Sequence, residues 1–75
     1  MNKARREKLK DAIRYFDHGL EILDDALTEE SDCLSNMPEN LESSDRYMSL
    51  EDNVDTMESV YSDINEAKDQ LEGLI

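Results

Sequence analysis

Leu9, Ile13, Phe16, Leu20, Leu23, Leu27, Leu34 and Met37 recur at steps of four, three, four, three, four, seven and three, with Glu30 in the skipped position. An α-helix turns once in 3.6 residues, so this alternation keeps all eight on one narrow stripe, the seam of a coiled coil or bundle helix. A second stripe places Leu50, Met57, Ile64 and Leu71 seven apart. Val54, then Val60 or Tyr61, then Ala67, then Leu74 or Ile75 fall between them. Each stripe needs an apolar surface opposite it. Two stripes in one chain specify an all-α fold in which each covers the other.

Between them runs Ser35-Asn36-Met37-Pro38-Glu39-Asn40-Leu41-Glu42-Ser43-Ser44, with the one proline of the chain. Pro38 disfavours helical dihedrals at Met37, so the first helix ends near 34–36. Ser43 and Ser44 are good N-caps, and Asp45 behind them suits the positive end of a new helix. The spacing predicts helices over about 2–35 and 44–74, each about 45–50 Å long. A connector at 36–43 folds them into an antiparallel, coiled-coil-like hairpin, a single domain over 1–75.

A turn centred near Asn40 sets Leu9 beside Leu71 and Leu74, Ile13 opposite Ala67, and Phe16 opposite Ile64. Leu20 then meets Val60 or Tyr61, Leu23 meets Met57, Leu27 meets Val54, and Leu34 lies by Leu50 and Tyr47. The same pairing brings Arg6, Lys10 and Arg14 of the basic opening turns, 1–14, toward Glu72, Asp69 and Glu66. Those acids would offset the cost of cations at a helix N-terminus. Gly73 reads as a C-terminal cap.

Chains of 75 residues bury a small share of their surface and usually need added support. Cys33 is the single cysteine, which rules out an internal disulfide and suits a small hydrophobe in a reducing compartment. A homodimer closing a four-helix bundle is one remedy. Tyr15, Ile22, Tyr47, Met48 and Val60 or Tyr61 cannot all face one partner helix. They would form the dimer contact or a docking face for another protein. Residues 1–7 are basic with no apolar run behind them, unlike a signal peptide, and no stretch approaches the ~20 apolar residues that span a bilayer. An acidic surface is also repelled by anionic lipid. The expectation is a soluble, cytoplasmic protein without membrane contact.

From Tyr15 onward, 18 Asp and Glu stand against two basic residues, Arg46 and Lys68. Residues 1–14 hold six Lys and Arg against Glu7 and Asp11, so the parts carry −16 and +4 within the net −12. On the first helix Asp17, Glu21, Asp25 and Glu29 follow at four-residue steps, with Asp24 and Asp32 beside them. On the second, Glu51, Asp55 and Glu58 line up, flanked by Asp52, Asp63 and Asp69. Like charges at such steps cost a helix about 0.2–0.5 kcal/mol per pair, whereas ordinary exposed helices alternate signs. Two readings remain open: a solvated face that keeps the protein soluble, or a decoy whose carboxylates stand in for phosphates before a basic surface.

Other chemistries find no footing. His18 has no second His and no Glu three residues ahead, so a Glu-x-x-His di-iron pattern is absent. Asp52-Asn53-Val54-Asp55-Thr56 lacks the turn glycine and terminal Glu of a calcium loop. No Ser, Thr or Cys has a partnered base, and Gly19 and Gly73 alone cannot build a phosphate cradle. Two helices also make a poor pocket. These absences predict a protein that is not an enzyme, with no cofactor, metal or small-molecule substrate.

Met37-Pro38-Glu39-Asn40-Leu41-Glu42-Ser43-Ser44-Asp45-Arg46-Tyr47 resembles the Leu-Pro-Glu-Ser-Leu-Gln-x-Ser-Glu-Arg segment of small, acidic, two-helix proteins of prophages and mobile elements in Firmicutes. The basic opening Met1 to Arg6 is similar too. Met37 for Leu and Glu42 for Gln depart from that pattern without breaking the turn. The resemblance implies a helical hairpin of phage or mobile-element origin, acting in the cytoplasm of a bacterial host; it supplies no catalytic residue. By analogy with small acidic phage proteins that inhibit restriction enzymes or CRISPR nucleases, the leading expectation is a non-enzymatic inhibitor. Asp17, Glu21, Asp24, Asp25, Glu29, Glu51, Asp52, Asp55 and Glu58 would occupy a basic cleft of a nucleic-acid-binding host protein.

The alternative is a homodimeric adaptor or assembly module working through the apolar flank of Tyr15, Tyr47, Met48 and Tyr61. Direct nucleic-acid binding through Lys3, Arg5, Arg6, Lys8 and Lys10 is opposed by the −16 of the remaining chain.

Overall fold

The structure, a computed structural model, describes residues 1–38, 40 and 44–75. Helix α1 runs over Lys3–Ser35 and α2 over Asp45–Glu72. They pack antiparallel along a rod of 59 × 15 × 13 Å. Its radius of gyration, 17.2 Å, compares with about 11 Å for a compact domain of this length. Two helices with no third layer produce that elongation.

Local hydrogen bonds explain where each helix begins and ends. Asn2 caps α1, its Oδ1 accepting the Arg5 N–H at 2.8 Å, a cap the heptad reading did not identify. Ser44 caps α2, its Oγ accepting the Tyr47 N–H at 3.2 Å, and Asp45 supplies the acid of the first turn. Ser43, with Glu39, Leu41 and Glu42 of the expected connector, lies outside the described residues. Ahead of Pro38 the last turn of α1 tightens: Asn36 N–H bonds Asp32 O at 3.0 Å and Met37 N–H bonds Leu34 O at 3.2 Å. Gly73 ends α2 at φ −65°, so the helix stops in a right-handed turn rather than the left-handed one a glycine cap suggests. Leu74 and Ile75 N–H reach back to Leu71 and Glu72 at 3.0 and 3.3 Å.

The seam keeps the heptad frame throughout. On α2 the protected positions are Tyr47, Leu50, Val54, Met57, Tyr61, Ile64, Lys68 and Leu71, an unbroken alternation of three and four. Tyr61, not Val60, takes the ambiguous position, and Lys68 replaces the expected Ala67, which is exposed. On α1 Leu9, Ile13, Leu20, Leu23, Leu27, Glu30 and Leu34 are protected, with Met37 just beyond its end, and Ala12 and Ala26 join them along one side and Ser31 along the other. Among the described residues only Ile13, Leu20 and Val54 are buried, at 5–7 % exposure.

Three sequence-derived expectations are corrected. Phe16 keeps its seam position but is 42 % exposed. The register also differs by about one turn: Lys68 Nζ bonds Asp17 Oδ1 at 2.7 Å and Asn53 Nδ2 donates to Glu30 Oε2 at 2.9 Å. A turn centred at Asn40 would have set Asp17 level with Asp63 and Glu30 level with Leu50. The observed pairing gives each of these two acids a donor on the other helix. It also sets Lys68 rather than Ile64 at the level of Phe16, which explains the uncovered ring. Finally, the basic opening turns do not pair with the end of α2. Lys10 meets Glu7 at 3.4 Å and Arg14 meets Asp11, both within α1.

Candidate functional site

The heptad frame divides the rod into two unlike flanks. Residues just after Leu9, Phe16 and Leu23 form one edge of α1: Lys10, Asp17 and Asp24. Residues just after Leu50, Met57, Ile64 and Leu71 form the matching edge of α2: Glu51, Glu58, Asn65 and Glu72. In an antiparallel pair these two edges share a side. One row further out stand Glu21, Asp55 and Asp69, so a broad acidic flank runs along both helices, its carboxylates all exposed.

The opposite edges are Ala12, Gly19, Ala26 and Cys33 on α1, and Asn53, Val60, Ala67 and Leu74 on α2. Arg5 and Arg46 stand at the N-terminal ends of these rows, and beyond them no charge interrupts either. Glu29 and Asp63 are the carboxylates at their margin.

Of the nine acidic candidates, Asp17, Glu21, Asp24, Glu51, Asp55 and Glu58 therefore lie on one flank. Asp25 and Asp52 lie on the backs of their helices, and Glu29 stands apart on the uncharged side. The apolar candidates are not brought together. Tyr47 and Tyr61 are half-buried in the seam, Met48 is exposed beside the acids, and Tyr15 is exposed on the uncharged side.

Lys68 holds the acidic flank to the seam. Its side chain is 17 % exposed, and its ammonium leaves the interface to meet Asp17 at 2.7 Å and Glu72 at 3.9 Å. The hydrogen bond to Asp17, with the charges of Asp17, Glu72 and Asp69, holds the Lys68 pKa above its ordinary value against the opposing effect of burial. Heptad reading missed this residue because Lys looks out of place in a seam. The signal available was its status as the one cation of α2 beyond Arg46, within reach of acids on both helices. A long aliphatic stem covers apolar surface while its charge stays wet.

Asp11, Arg14, Tyr15 and His18 line a shallow, open depression on α1 alone. No group of three or more His, Cys, Asp or Glu among the described residues is arranged to hold a metal ion. No helix among them is long and apolar enough to cross a membrane. No protein-family model, curated protein or solved structure matches the chain.

Proposed function

We propose that this protein is a non-enzymatic inhibitor whose acidic flank occupies the nucleic-acid-binding cleft of a basic host protein, of the kind that restricts or cleaves foreign DNA. The observation that carries the reading is the partition of charge. Carboxylates scattered only for solubility would sit equally on both flanks, whereas eight of these crowd one and, among the described residues, Glu29 and Asp63 alone border the other. Crowding costs helix stability through like-charge steps, and a basic partner would recover that cost on binding.

The dimensions favour one strand over a duplex as the thing imitated. A single strand carries a phosphate about every 3.4 Å, or about 17 along the rod's 59 Å. The eight carboxylates of the acidic flank amount to about one for every two phosphates of such a strand, and a duplex of that length would present about twice as many phosphates again. The resemblance of residues 37–47 to small prophage proteins supports a mobile-element origin, and hence a bacterial cytoplasm as the place of action.

The test is capture of partners from a bacterial lysate on the immobilised protein, compared with the variant Glu21→Lys/Asp24→Lys/Glu58→Lys. These three positions leave the Asp17–Lys68 contact intact. The proposal requires that the variant, still helical by circular dichroism, lose a basic nucleic-acid-binding protein that the wild type retains. It also requires that capture weaken steeply between low and physiological salt, since exposed charge is screened within about 8–10 Å. Equal retention by both proteins would refute it.

A further inference from the structure

We infer that the uncharged flank is the contact for a second copy of this chain, so that two hairpins pack side by side with their acidic flanks facing outward. The first support is area. The chain exposes 5724 Å², where a compact monomer of 8.7 kDa would expose about 4,700 Å². The excess of about 1,000 Å² is close to the roughly 800 Å² that each partner contributes to a stable interface.

The second support is where the exposed apolar side chains lie. Tyr15 at 78 %, Ile22 at 57 %, Leu74 at 53 %, Phe16 at 42 % and Val60 at 41 % stand on or beside the uncharged flank; Met48 at 58 % lies beside the acids, and Met1 and Ile75 are at the chain ends. The third is Gly19. A glycine inside a helix costs about 1 kcal/mol relative to alanine, and a methyl group at Gly19 would meet nothing within 4 Å in the hairpin. Its small size serves no contact within the chain, but it admits a large side chain from outside.

A two-fold interface must be self-complementary. This flank offers large residues, Tyr15, Ile22 and Val60, beside small ones, Gly19, Ala26 and Ala67. A basic partner would be drawn to the other flank, and a second copy there would meet like charge. Two copies joined at the uncharged flank keep their carboxylates apart. The dimer is independent of what the acidic flank binds.

Sedimentation equilibrium of the full chain at tens to hundreds of micromolar tests this directly. The expected mass is twice 8.7 kDa, falling to the monomer in Ile22→Glu/Val60→Glu and persisting in Glu21→Lys on the opposite flank. Gly19→Gln, which improves helix propensity and so does not unfold the hairpin, should weaken association at least tenfold, the scale of a central interface residue. A wild-type monomer at hundreds of micromolar would overturn the inference and leave the flank to a different protein. A dimer that survives Gly19→Gln and the double Glu variant, yet dissociates in Glu21→Lys, would overturn it by placing the contact on the acidic flank.

Discussion

At the residue scale, the stability of the rod rests on few side chains, and exposure rather than size ranks them. Leu20, at 5 % exposure, should lose about 2–5 kcal/mol on truncation to Ala, in the range of other buried leucines. Phe16 is larger but 42 % exposed in the hairpin, so Phe16→Ala should cost less than Leu20→Ala in urea unfolding of the dilute, monomeric protein. The reverse order would mean that the Phe16 ring is covered. Lys68 adds a pH dependence with a definite sign. Its pKa is raised on folding, chiefly by the Asp17 hydrogen bond, so its contribution is fully present below its ordinary value of 10.5. That contribution disappears as pH rises through the higher folded value. Asp17→Asn should accordingly lower the melting temperature near neutral pH and have a shrinking effect above pH 10.5. A constant difference across that range would assign the loss to something other than the charged contact.

At the element scale, two helices with a break at Pro38 were legible because heptad spacing and a capping serine are local signals. The register was not. Sliding one heptad helix along another by about one turn still sets apolar residues opposite apolar residues, so packing alone barely distinguishes the alternatives. Two polar contacts decide it, Asp17 with Lys68 and Glu30 with Asn53, and neither is visible in a hydrophobic pattern. Lys68 was overlooked for the same reason: a binary reading counts its charge and ignores its stem. Tyr47 and Tyr61, which the sequence offered both to the seam and to the flank, are half-buried in the seam, a position that suits a ring with an apolar face and a polar tip. The caps give an element-scale prediction. Ser44→Ala removes the acceptor for the Tyr47 N–H and should cost about 0.5–2 kcal/mol, measured by urea unfolding. A loss below about 0.2 kcal/mol, the range of a neutral surface change, would mean that α2 starts elsewhere.

At the scale of the whole molecule, the net charge of −12 was plain from composition, but the crowding of eight carboxylates on one flank was not. Four-residue steps place acids on the outer half of each helix without saying which way that half leans. The seam settles the lean, dividing the nine acidic candidates into six together, two behind and Glu29 apart. A surface so divided can meet a basic cleft on one side and a second copy on the other. Displacement by nucleic acid tests the first role most directly. Host protein captured on the immobilised chain should be eluted by single-stranded DNA at low salt, with an equal phosphate concentration of duplex no more effective. A captured partner indifferent to DNA of either form would contradict the account, because a protein held in a nucleic-acid-binding cleft must compete with the nucleic acid that belongs there.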